Sequence, residues 1–152
     1  MVAVTASTFH PSFDPDTGLR VRQAFSAPPA TLWRAWTDPD LFSRWWGGAD
    51  TEVSDVALHV GVGGTWQATM TVRGTPVAWS GVYREVVEPS RLVFTLRDKA
   101  YLREVVEVDL APEGEGTLLT LTQAGGTLEE QEYYAIAEGY RQFFHALADV
   151  TG

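Results

Sequence analysis

Apolar and polar residues alternate with period two along most of this chain. The spacing turns helical only near its first third and again at its end. Leu19-Arg20-Val21-Arg22-Gln23-Ala24-Phe25 alternates as a half-buried strand does. Further strands are expected over 51–58, 65–73, 77–87, 91–97, 102–110 and 117–123. The separators are turn-like: Gly61-Val62-Gly63-Gly64, Gly74-Thr75-Pro76, Glu88-Pro89-Ser90, Asp98-Lys99 and Pro112-Glu113-Gly114-Glu115-Gly116. They are short, so neighbouring strands should pair antiparallel. Trp66, Ala68, Met70 and Val72 share a face, as do Val106, Val108 and Leu110, and Leu119 and Leu121. Gln67, Thr69, Thr71, Arg73, Glu107 and Asp109 fall on the opposite faces, so one side of the sheet is dry and the other wet.

Two short helices are expected between the first strand and the rest. Pro28 and Pro29 suit the entry of the first, where amide hydrogens are unpaired in any case. Leu32, Ala35 and Trp36 share one of its faces. Asp38 is a good N-cap and Pro39 a good first residue for the second, whose stripe is Leu41, Phe42, Trp45 and Trp46 and whose end is Gly47-Gly48. A long helix over 128–149 closes the chain, with Thr127 as its N-cap and Glu129 and Glu130 in its first turn. Ile136, Tyr140, Phe143, Phe144 and Leu147 recur at helical spacing, so that helix must lie on something apolar. The dry face of the sheet is the only such surface. Residues 1–17 read as a loosely held arm ending in the turn Asp14-Pro15-Asp16-Thr17-Gly18, and residues 18–152 as one domain.

The result is an α+β two-layer fold, a curved antiparallel sheet wrapped around a long C-terminal helix. A curved sheet does not fill all the space beneath one helix, and the gap is a natural small-molecule cavity. Composition adds weight to this. Aromatic residues make up 12% of the chain, and Trp33, Trp36, Trp45 and Trp46 all fall in one short run. The formal net charge of -9 argues against nucleic acid and anionic lipid as partners. Without cysteine, disulfides, thiol nucleophiles and thiolate metal sites are excluded. No apolar run reaches the roughly 20 residues that cross a bilayer, and the N-terminus has no signal-peptide pattern, so a cytoplasmic protein is expected.

Several landmarks resemble one known superfamily. They are Ala27-Pro28-Pro29 with Leu32-Trp33-Arg34-Ala35-Trp36-Thr37-Asp38-Pro39; Leu41 with Arg44-Trp45-Trp46; and Gly63-Gly64-Thr65-Trp66. Gly81-Val82-Tyr83 with Glu88-Pro89-Ser90-Arg91-Leu92-Val93-Phe94-Thr95, Gly116-Thr117-Leu118-Leu119-Thr120-Leu121-Thr122 and Gly139-Tyr140 continue the series. In this order they resemble the START-like, or SRPBCC, superfamily (birch-pollen-allergen-like, helix-grip). The likeness is to the branch homologous to the C-terminal domain of the heat-shock-protein-90 ATPase activator. Tyr140 stands where that pattern usually has tryptophan, and the acidic N-terminal arm lies outside it. The resemblance implies a helix-grip fold with a ligand cavity. It does not imply an activity, because the superfamily hosts carriers, receptors and cyclases.

On this reading Trp45, Trp46, Trp66, Met70, Trp79, Tyr83, Phe94, Tyr140 and Phe143 are the candidate ligand-binding residues, set against ordinary core packing. Tryptophan and tyrosine each add a polar handle, which suits an amphipathic ligand with one oxygen-bearing end. His10, His59 and His145 are scattered and give no metal motif. The glycines at 61, 63 and 64 precede a strand, not a helix, and read as a turn. Glu85, Arg97, Arg103 and Glu107 read as surface cross-strand pairs, although an inward-facing member could polarise a carbonyl. No cofactor, metal or catalytic residue is assigned, and a homodimer stays open. The expected function is binding of a small apolar or amphipathic molecule. A polyketide-cyclase or aromatase-type enzyme is the alternative, and a chaperone ATPase co-regulator the lesser one.

Overall fold

The structure is a computed structural model and describes residues 9–98, 103–125 and 128–152. Eight strands form one antiparallel sheet: β1 (His10–Asp14), β2 (Gly18–Phe25), β3 (Glu52–Leu58), β4 (Thr65–Val72), β5 (Thr75–Val87), β6 (Arg91–Arg97), β7 (Arg103–Glu113) and β8 (Gly116–Ala124). Their order is β1-β2-β8-β7-β6-β5-β4-β3. Two helices, α1 (Pro29–Thr37) and α2 (Pro39–Phe42), connect β2 to β3, and α3 (Glu130–Thr151) ends the chain. The α+β helix-grip architecture is the one expected.

The alternation places the core as predicted, except that Val72, at the end of β4, is 42% exposed. Val106, Val108, Leu110, Leu119 and Leu121 are all buried on the dry face. Against them lie Leu32, Trp33, Ala35 and Trp36 of α1, and Tyr133, Ala137, Tyr140, Phe144 and Leu147 of α3. Helix α3 packs against β1, β2 and α1. It therefore sits over the β1–β2 side of the sheet. On the outer face, Arg91 binds Glu85, Glu107 and Asp109 at 3.2, 2.9 and 2.9 Å. This places Glu85 and Glu107 in the surface pairs expected of them.

Three local readings change. Residues 10–14 are not loose: they pair with β2 as a further strand, and Phe13 packs on Tyr133 with ring centroids 5.4 Å apart. Helix α2 is only four residues long, and Trp45 and Trp46 follow it in turns whose amides bond back to the Phe42 carbonyl. Helix α3 begins two residues later than expected, and its N-cap is Glu129, which forms a reciprocal capping box with Glu132. Thr127, the expected cap, lies outside the described residues. Asp38 caps α2 as predicted, its carboxylate accepting from the amides of Asp40 and Leu41.

Candidate functional site

Where α3 leaves β4, β5 and β6 uncovered, a cavity of about 210 Å³ separates the layers. From the sheet come Met70 on β4, Trp79 on β5, Leu96 on β6 and Gln123 on β8. From α3 come Ile136, Gly139, Tyr140 and Phe143, one stripe at helical spacing. Trp46 closes the end beside α2, with its ring stacked on Phe42 at 5.0 Å and edge-on to Phe143 at 4.9 Å. Trp46, Leu96, Gln123 and Tyr140 are buried, whereas Met70, Trp79, Ile136, Gly139 and Phe143 are half-buried and form the rim.

Of the nine residues proposed from the sequence, Trp46, Met70, Trp79, Tyr140 and Phe143 share this wall. Trp66, Tyr83 and Phe94 instead surround a void of about 10 Å³ with Trp36, Phe42, Leu58 and Leu92. That space is no larger than a single water molecule needs. Trp45 touches neither: it is fully buried, edge-on to Trp36 at 4.6 Å, and its Nε1–H donates to the Ala35 carbonyl at 2.8 Å. A third hollow, of about 610 Å³, is lined by side chains of opposite parity, among them Gln67, Ser80, Arg84, Thr95, Arg97 and Arg103. It belongs to the outer face, and half of the residues that wall it are exposed. Its size alone does not make it the better site, because an apolar ligand gains from burial and not from an open polar surface.

One polar chain runs back from the cavity. The Tyr140 hydroxyl donates to Gln123 Oε1 at 2.6 Å, and Gln123 Nε2 reaches Glu104 Oε1 at 3.4 Å. Tyr133 also hydrogen-bonds the Glu104 carboxyl. Glu104 is only 2% exposed. Its burial raises its pKa, and the bonds from Tyr133 and Gln123 oppose that rise. Burial likewise pushes the Tyr140 phenol up, and the nearby Glu104 charge adds to the effect. Neither Glu104 nor Gln123 was singled out from the sequence. The signal was present in the parity, since Glu104 shares a face with Val106 and Val108, and Gln123 with Leu119 and Leu121.

The remaining tryptophans divide by their indole nitrogens. Trp66 Nε1–H donates to the Thr95 carbonyl at 2.9 Å. The Nε1 atoms of Trp36, Trp46 and Trp79 are buried without a hydrogen-bond partner. No group of histidine, aspartate or glutamate among the described residues could hold a metal ion.

A curved antiparallel sheet gripping a C-terminal helix over an aromatic cavity defines a domain of the START-like class. The chain belongs to the family described as activator of Hsp90 ATPase homolog 1-like protein, whose profile matches residues 26–152. Solved structures share the fold. Protein CV1439 from Chromobacterium violaceum is 26% identical over 87% of this chain and 94% of its own, with a TM-score of 0.76. CalU16 from Micromonospora echinospora is 26% identical over 99% of this chain and 87% of its own, with a TM-score of 0.66. Protein Ms6760 from Mycobacterium smegmatis, at 19% identity, covers 95% of this chain and 96% of its own with a TM-score of 0.84. None of the curated proteins compared with the chain matches it.

Proposed function

We propose that the protein binds a small apolar or amphipathic molecule in the cavity between α3 and the sheet. The observation that carries this is the cavity itself: about 210 Å³, walled by Trp46, Met70, Trp79, Leu96, Ile136, Tyr140 and Phe143, with Gln123 among the few polar side chains. Apolar concavities with few polar groups are the usual form of small-molecule sites. A cyclase-type reaction would need a charged group at the wall, and the described residues that line the cavity include none. Glu104 lies behind Gln123, one hydrogen bond removed. This arrangement favours binding over acid–base catalysis. The chaperone co-regulator reading rests on the family's description alone.

Native mass spectrometry of the purified protein, followed by titration of tryptophan emission with lipids and phenolic compounds, tests the proposal. Trp46 and Trp79 at the wall should give a saturable change with a true ligand. A protein that carries nothing and shows a flat titration across the panel would remove the binding reading.

A further inference from the structure

We infer that the hollow on the outer face of the sheet is a second binding site, one for a small organic phosphate. This goes beyond the binding reading of the cavity and does not rest on it, since the two lie on opposite faces. Gln67, Ser80, Arg97 and Arg103 stand in cross-strand register on β4, β5, β6 and β7, one row across four neighbouring strands. Arg84, beside the bulge in β5, joins them in lining the hollow. Arg97 and Arg103 are paired directly, which brings their Cβ atoms within about 5 Å, and like charges so placed repel. Elsewhere on this face the fold answers such a charge: Arg91 has Glu85, Glu107 and Asp109 at 3.2, 2.9 and 2.9 Å. Among the described residues no carboxylate pairs with Arg84, Arg97 or Arg103. The one acidic residue described along the wall, Glu104, is only 2% exposed, and its carboxyl bonds Gln123 and Tyr133 on the core side. Three positive charges thus share one concavity without a counter-charge, on a molecule of net charge -9.

The same features restrict the ligand. Guanidinium forks match the oxygens of a phosphate, which carries nearly two charges, whereas a monocarboxylate would leave most of the local charge unanswered. Neutral donors supplement the arginines. Thr95 Oγ1 accepts from the Val82 amide at 2.9 Å, which leaves its hydroxyl hydrogen for a ligand oxygen. The hollow, of about 610 Å³, is far larger than inorganic phosphate and falls within the roughly 300–1,000 Å³ of small-molecule sites. Val82 and Val105 add apolar surface to its wall, against which an organic group can lie. A long polyanion is disfavoured, because the molecule as a whole is acidic and Glu85, Glu107 and Asp109 stand on the same face.

Phenyl phosphate is the probe, with benzoate as the singly charged control and a short single-stranded oligonucleotide as the polymeric one. Affinities for the intact protein and its variants are measured by calorimetry, and arginine Nε–H and indole N–H resonances are followed by NMR. Phenyl phosphate should bind saturably, at least about ten-fold more tightly than benzoate, and weaken several-fold as salt is raised. Arg97→Gln and Arg103→Gln should each weaken it at least about five-fold. Both side chains are exposed, so neither change threatens the fold. Arg20→Gln, equally exposed on β2 but outside the hollow, should stay within about two-fold of the parent protein. The Arg84, Arg97 and Arg103 signals should move with phenyl phosphate, and the Trp46 and Trp79 indole signals should not. No saturable binding, an equal loss in Arg20→Gln, benzoate as tight as phenyl phosphate, or movement of the indole signals instead of the arginine signals overturns the proposal. An oligonucleotide that binds more tightly than the ester overturns it as well, in favour of nucleic acid. None of these outcomes touches the binding reading of the inner cavity, which the emission titration decides separately.

Discussion

At the scale of single residues, Gly139 is the position where helix stability and the cavity oppose each other. A Cβ placed on it would meet nothing within 4 Å. Packing therefore does not require glycine, and a mid-helix glycine costs about 0.5–1 kcal/mol relative to alanine. Gly139→Ala should raise stability by about that amount in urea unfolding. Because Gly139 lines the cavity, it should also weaken the binding of any ligand that fills it. Glu104 gives the second prediction. Its folded pKa is raised by burial, so folding favours the protonated form. As pH rises from the ordinary carboxylate range through the raised value, the unfolded chain releases its proton first and stability falls; above that window the loss is constant. Glu104→Gln should therefore match the parent protein in acid and be the more stable of the two near neutrality, as thermal unfolding at several pH values would show. If the parent gained stability over that window, the direction would be wrong. Glu104 and Gln123 were legible in the sequence only through parity. A search for apolar repeats passes over a polar residue that continues the buried phase.

Among the elements, the strands were read within a few residues because alternation reports a sheet with one wet face directly. The ends were harder, because they depend on single contacts. The Gly74-Thr75-Pro76 separator tightens to a two-residue turn, with Arg73 and Gly74 at φ of 52° and 82°, and Thr75 and Pro76 already pair with β4. Strand β1 carries little alternation of its own. What fixes it are Phe13 on Tyr133 and Phe9 on Phe144, long-range contacts that local pattern does not reveal. Two further predictions belong here. A Cβ at Gly81 would collide with the Thr95 carbonyl and the Trp66 indole. Gly81→Ala should thus cost about 1–3 kcal/mol, seen as a lower melting temperature. Arg97 and Arg103 stand directly opposite each other on β6 and β7, and both are exposed. Like charges so placed repel, so Arg103→Glu should stabilise by about 0.2–1 kcal/mol, with the gain fading at high salt.

At the scale of the whole molecule, α3 packs over the β1–β2 side of the sheet and against α1. Tyr140 bonds to Gln123 on β8 at 2.6 Å, and the Ser26 hydroxyl donates to the Gly152 carbonyl at 2.7 Å. The first contact lies mid-helix and the second at its C-terminus. Tyr140 and Gln123 also line the cavity, so the mid-helix contact is part of its wall. Sliding the helix lengthwise would break a buried hydrogen bond at the middle and a second bond at the end. The way into the cavity therefore runs past the half-buried Met70, Ile136 and Phe143 side chains. Met70 has the most rotatable bonds of the three, so it is the side chain best able to reshape the opening to its guest.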